Sequence, residues 1–381
     1  MTFNLKTVLL AGTALVAVGF AAPHAAFAAD ELSVDADASG VFDADELATS
    51  AFDWATNTNG TGAAGEATNA KDVRVNATAT INGIQDGNTI GDTTTTTAAV
   101  TSNAAALTLT IDDSVNDDAA ETVTITGDIS RGSQTLLNLT VTGENTDATA
   151  DVLNLDINGA IDLGTGTFTI DTDTNAGNAV NVNLSGNLTA SALVLKDDGA
   201  PITLTFDGTS AQTVTSTING ETDADGTLVV ANAEGVTFTG VIGGTQATNL
   251  ITVSKTGANS AATFKAGVNS TAIVLGDGAG TGTNTVTFDG TTAGFTVAGT
   301  VNGTAGDTDN VVVSGGHTIV QSGAWGGVTT LNGLTVSGSS TILDSNAAIT
   351  SAATTIGSGA TLDVGAGLLT SAVANSGTLL L

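Results

Sequence analysis

From about residue 76 to the end, the chain alternates apolar and small polar positions over short runs, with Gly, Asn, Asp or Ser between the runs. Examples are Ala106-Leu107-Thr108-Leu109-Thr110-Ile111, Val123-Thr124-Ile125-Thr126, Leu136 to Val141, Thr167-Phe168-Thr169-Ile170 and Leu204-Thr205-Phe206. A period of two places Val, Ile, Leu and Phe on one side of an extended strand and Thr on the other, as in half-buried strands. Helical spacing is missing, so this region is predicted to be all-β. Residues 29–75 have a different texture, acidic and Ala-rich. Glu46 to Trp54 is compatible with a short helix and Asn57 to Gly65 reads as loop. This segment is predicted to be a cap or leader, partly helical or disordered.

Two stretches copy one another. Thr205-Phe206-Asp207-Gly208-Thr209, Thr217-Ile218-Asn219-Gly220 and Leu228-Val229-Val230 recur in the same order as Thr287-Phe288-Asp289-Gly290-Thr291, Thr300-Val301-Asn302-Gly303 and Val311-Val312-Val313. Ile81-Asn82-Gly83 and Ile157-Asn158-Gly159 echo the same strand ending. Towards the C-terminus, apolar centres fall at Val328, Leu334 or Val336, Ile342, Ile349, Ile356, Leu362 or Val364, and Leu369. Three such strands with three turns would make a rung of roughly 20 residues, and the copied block would be about four rungs. The expected fold is therefore a parallel β-helix (β-solenoid), with roughly a dozen rungs stacked into a rod on the order of 60 Å long.

Composition sharpens this picture. The chain has no cysteine and no tyrosine, two tryptophans and eleven phenylalanines, so its core must be aliphatic and thin, and no disulfide supports it. Stacked layers suit such a core better than a globule does. With 38 acidic residues against 7 basic ones, the formal net charge is −31. The basic residues are scattered, which excludes a nucleic-acid partner and disfavours anionic lipid. The surplus carboxylates want counter-ions, so divalent cations such as calcium are expected stabilisers.

The first residues read as an export signal. Lys6 precedes the apolar stretch Thr7 to Phe20, and Ala26-Phe27-Ala28 forms a small-residue cleavage site. The apolar stretch is too short to span a bilayer. The expected organisation is a signal peptide over 1–28, an acidic cap or leader over 29–75, and the repeat domain over 76–381. The closing residues Asn375-Ser376-Gly377-Thr378-Leu379-Leu380-Leu381 open a further strand and stop on three leucines, so the solenoid is expected to continue beyond Leu381 or to be covered there.

The leader, the acidic cysteine-free body, the Thr-Phe-Asp-Gly-Thr repeats and the late units Ser358-Gly359-Ala360-Thr361-Leu362 and Asn375-Ser376-Gly377-Thr378-Leu379 resemble passenger domains of bacterial autotransporters, including rickettsial-type surface antigens. The resemblance covers most of residues 76–381. It implies a β-helix exposed outside an outer membrane, acting in adhesion on host or neighbouring-cell surface molecules or by self-association. No segment of this sequence reads as the β-barrel translocator that anchors such passengers, so the resemblance implies either a barrel lying downstream or a protein of another kind. The acidic, Thr-rich, Lys-poor composition is equally similar to that of surface-layer proteins, which implies a self-assembling lattice stabilised by calcium.

The sharpest candidate for site chemistry is Asp35-Ala36-Asp37-Ala38-Ser39-Gly40-Val41-Phe42-Asp43-Ala44-Asp45-Glu46. Asp35, Asp37, Ser39, Asp43 and Glu46 occupy loop positions 1, 3, 5, 9 and 12 around Gly40, the spacing of an EF-hand calcium loop. The competing reading is a solvated acidic leader. Asp171 to Asn175, Asp223-Ala224-Asp225 and Asp307-Thr308-Asp309-Asn310 are weaker clusters, read as turn formers. Gly276-Asp277-Gly278-Ala279-Gly280 reads as a flexible turn, and no Gly-Lys-Ser/Thr follows it to cradle phosphate. His317 lacks the company of a catalytic triad and reads as a strand or turn residue. Arg131 and Lys196 stand isolated, and Trp325 reads as a packing residue at a corner. No catalytic residue is assigned and the chain is expected to be non-enzymatic, with a secreted polysaccharide-active β-helix enzyme as the third option.

Overall fold

The computed structural model describes residues 106–112, 121–143, 152–172 and 179–381 apart from 279, 281 and 366, together with short strand segments between Glu31 and Ser102. The chain is an all-β solenoid of about nine turns, built from parallel ladders. The strands stack on three faces, to which some turns contribute a single bridge residue, as at Ile242 and Trp325. Leu107–Asp112, Leu137–Thr142 and Thr167–Asp171 stack on the first face. Val152–Ile157, Ala179–Leu184, Ile202–Phe206 and Asp225–Val230 stack on the second. Val236–Phe238, Ser260–Phe264, Thr283–Asp289, Thr308–Ser314 and Leu331–Val336 stack on the third. Among the described residues no helix is long and apolar enough to cross a membrane.

The period of two produces this arrangement directly. Leu137–Thr142 and Ile202–Phe206 bury every second side chain, the Leu, Val, Ile or Phe, and turn Thr or Asn outward. Because the ladders are parallel and, apart from shifts after Thr189, Asn269 and Thr350, in register, inward residues lie over the equivalent residues of the next turn. On the third face Val214, Phe238, Phe264, Phe288, Val313, Val336 and Ile356 form one such column. A column of this kind completes each layer's apolar contacts with its neighbours, so no layer needs a thick core of its own.

Most turns are longer than the regular C-terminal spacing predicts, and their length is not constant. Leu139 pairs with Phe168, Val286 with Val311 and Thr354 with Val373, so each successive example closes its turn with fewer residues than the one before. The short rhythm near the C-terminus describes only the last, shortest turns. With about nine turns at roughly 4.8 Å each, the rod is on the order of 45 Å long.

The copied block is correspondingly not four rungs. Thr205 and Phe206 lie on the second face, and that face recurs at Leu228, Ile251 and Ile273 before the chain reaches their copies Thr287 and Phe288 on the third. The copy is therefore three turns and one face further on. Its motif encodes a strand ending, which any face can use.

Glycine is required where successive turns approach most closely. A Cβ on Gly159 would sit 2.2 Å from the carbonyl carbon and oxygen of Gly127, and one on Gly186 would sit 2.2 Å from the Gly159 oxygen. These three glycines mark the corner between the second and third faces, where backbone packs on backbone.

Towards the N-terminus, Glu31–Ser33 pairs with Asp72–Val75, which pairs in turn with Val100–Ser102. Ala51–Asp53, within the stretch compatible with helix, is instead a strand paired with Ala79–Asn82. Ala51-Phe52-Asp53 is short enough that the neighbouring ladder, which supplies hydrogen-bond partners, outweighs a helical preference.

Candidate functional site

The proposed calcium ligands Asp35, Asp37, Ser39, Asp43 and Glu46 lie outside the described residues. Within the described residues, no three His, Cys, Asp or Glu side chains converge closely enough to hold a metal ion. In the two later acidic clusters the carboxylates accept from backbone amides instead. Asp225 accepts from the Thr222 N–H at 2.7 Å and its hydroxyl at 2.8 Å, while Asp223 accepts from the Ala247 N–H. Asp309 accepts from the Thr304 N–H at 2.6 Å and from the Asn284 amide at 3.0 Å.

Asp307 explains the glycine-rich segment before it. Its carboxylate accepts from the backbone N–H groups of Asp277, Gly278 and Gly280 at 3.0, 2.8 and 2.7 Å. Positive φ at Gly276, Gly278 and Gly280 curls the amides into an anion-binding concavity. The segment expected to be a flexible turn is thus clasped by a carboxylate from the following turn.

The copied blocks repeat a second clasp. Asn219 accepts from the Thr245 N–H at 2.9 Å, and its copy Asn302 accepts from the Val328 N–H at 3.0 Å. Both donors follow a Gly-Gly pair, Gly243-Gly244 and Gly326-Gly327, whose first member has positive φ. The Gly243 and Gly326 N–H groups donate to Ile218 and Val301. The repeated Asn-Gly and Gly-Gly spacing was the available sequence signal for this tie between turns.

Burial raises the Asp309 carboxyl above the ordinary carboxylate range, against the opposing hydrogen bonds from Thr304 and Asn284, and nearby Asp307 adds to the rise. Burial also raises Asp197, helped by Asp225 and opposed by the Gly226 and Gly199 N–H groups. For a carboxyl raised by folding, the associated stability is fully present below the unfolded pKa of about 3.9 and is lost as pH rises through the folded value. Relief of general repulsion among the surplus carboxylates acts in the same direction. The urea midpoint should therefore be higher near pH 5 than near pH 7.5. The difference should shrink, without vanishing, in an Asp197→Asn/Asp309→Asn double variant. Equal pH dependence of the two proteins would show that these groups contribute nothing.

Arg131 and Lys196, isolated in the sequence, are partnered in space. Arg131 Nε lies 3.2 Å from Asp162 on the next turn. Lys196 Nζ lies 2.6 Å from Asp171, 3.9 Å from Asp198 and 3.8 Å from Glu221, so one ammonium joins three turns of the first face. The Asp171 hydrogen bond is the main reason that its pKa is raised, although desolvation opposes the rise. His317 is exposed, and its Nδ1 meets the Gly290 carbonyl in a turn contact.

Trp325 is fully buried and stacks on Phe288 with ring centroids 5.3 Å apart. It ends an aromatic column through Phe206, Phe238 and Phe264 that spans most of the copied region. Among the buried polar side chains, Gln212 is held on both ends of its amide. Its Nε2 donates to Leu184 and Gly186, and its Oε1 accepts from Gly208 and Asn232.

At the corner between the third and first faces, three successive turns leave a groove of about 440 Å³. Val241, Ala293 and the half-buried Phe295 give it apolar walls, with Lys265, Thr239 and Thr292 as its polar groups. Lys265 Nζ reaches Asp289 at 3.8 Å. Sequence reasoning missed this groove because its residues are drawn from three separate turns.

The fold thus defines the chain as a parallel β-solenoid. No family model, curated protein or solved structure matches it.

Proposed function

We propose that the chain is a non-enzymatic structural or adhesive rod displayed on a bacterial cell surface. The supporting observation is the outward row on the third face, in which Thr213, Thr237, Thr263 and Thr287 are paired in register, followed by Val312, Thr335 and Thr355. Side chains arranged in this way face a partner as a repeated pattern along an axis, at about 4.8 Å intervals. Such a pattern favours extended contact with another surface. Catalysis needs acid, base and nucleophile brought to one point, whereas the acidic groups described above hold turns in place.

The test is made on cells producing the full chain. Antibody should label intact cells, external protease should remove the label, and beads coated with the purified chain should adhere to cells above beads coated with an unrelated acidic protein. A chain retained inside the cell, or beads that adhere no better than the control, would reject the proposal.

A further inference from the structure

In a chain whose acidic residues outnumber its basic ones 38 to 7, the corner groove is lined by a lysine and by no carboxylate. Its walls are Val241, which is 37% exposed, Ala293 and Phe295. An apolar lining with a few fixed polar groups is the usual make-up of a small-ligand site, and the volume falls within the usual range of roughly 300–1,000 Å³. The three turns that form it set its length along the rod at on the order of 10 Å. That length suits one or two pyranose rings lying parallel to the axis.

We propose that this groove binds a hexuronic acid residue of a polysaccharide. The C–H face of a pyranose ring is apolar and packs against aliphatic and aromatic walls, here Val241 and Phe295. The ring carboxylate would meet Lys265. Thr239 Oγ1 already donates to the Val214 carbonyl at 3.3 Å, which leaves its lone pairs to accept from a sugar hydroxyl. The Lys265–Asp289 contact does not prevent this: at 3.8 Å, with the two side chains 39% and 17% exposed, it is a long and partly solvated pair. Asp289 keeps the Thr291 N–H as a donor at 3.1 Å when the lysine turns towards a ligand. The assignment rests on the groove and not on surface display, so the soluble chain should bind whether or not the cell presents it.

The experiment titrates the full purified chain with trigalacturonate at low salt, by calorimetry and saturation-transfer NMR. The carboxyl-reduced neutral trisaccharide serves as comparison. Saturable binding is expected with Kd below about 10 mM, weakened about tenfold by reduction of the carboxyl groups and by Lys265→Gln. Val241→Asp, which places a carboxylate in the groove, should abolish it. Unfolding midpoints of both variants close to that of the parent would assign these losses to the groove and not to the fold. The proposal is overturned if no saturable binding occurs below that concentration, if acidic and neutral sugars bind alike, or if Lys265→Gln leaves the affinity unchanged.

Discussion

Replacing Phe264 with alanine should lower the stability of the solenoid by roughly 3–5 kcal/mol. The ring is buried, at 1% exposure, between Phe238 and Phe288, with centroids 5.2 and 5.8 Å away. Removing it opens a cavity at the centre of the column and takes contacts from two neighbours at once. The surrounding strands cannot close the gap, because their spacing is set by ladder hydrogen bonds on the same turns. Phe264→Leu should cost less than half as much, since it keeps most of the volume. Urea unfolding followed by circular dichroism measures both. In a Trp54→Phe background, Trp325 fluorescence reports on the end of the same column. A midpoint unchanged in Phe264→Ala would mean that the rings do not stack.

The second large effect is steric. Gly186→Val should be destabilising by more than about 4 kcal/mol, because the obstacles to a Cβ are all backbone: the Gly159 oxygen at 2.2 Å, the Gly159 carbon at 2.4 Å and the Ala160 nitrogen at 2.6 Å. No rotamer relieves that overlap. Either the two turns separate or the corner is rebuilt, and each outcome opens the ladders on both sides of that corner. Limited proteolysis should then cut near residue 186 in the variant and not in the parent. Gly257→Ala is the matched control. Its Cβ would meet nothing within 4 Å, so only its positive φ of 70° opposes substitution, at about 1–2 kcal/mol. Equal losses at the two positions would refute backbone contact as the reason for Gly186.

These two residues show why some features could be read from the sequence and others could not. Phe264 belongs to a run, Ser260–Phe264, whose alternation marks it as inward-facing. Burial follows from that local pattern alone. Its partners do not, because Phe238 and Phe288 are one turn away on either side and the turn length varies. A rung of the uniform length expected from the C-terminal rhythm would pair Phe264 with the wrong neighbours. Gly186 is harder still to read, since glycine in a turn usually signals a backbone angle, whereas here the requirement is the approach of another turn.

The candidate site divides in the same way. Trp325 was readable as a packing residue because a lone large aromatic among glycines has few other roles. Asp225, Asp307 and Asp309 were readable as turn residues, but their targets were not. Asp307 reaches the amides of Asp277, Gly278 and Gly280, a full turn earlier in the chain. Lys196 stood isolated in sequence and sits among three carboxylates in space. The corner groove left no signal in any single stretch.

The order of residues was enough to dictate the strand content, the inward and outward faces, and the resort to stacked layers, because these follow from a period of two and from a supply of aliphatic residues too thin for a globule. The length of each turn, the face on which each copy lies, the glycine corner and the groove emerged only from the coiled chain. Alternation is imposed by the geometry of one strand, whereas register is settled by how each corner closes and by contacts between residues a whole turn apart.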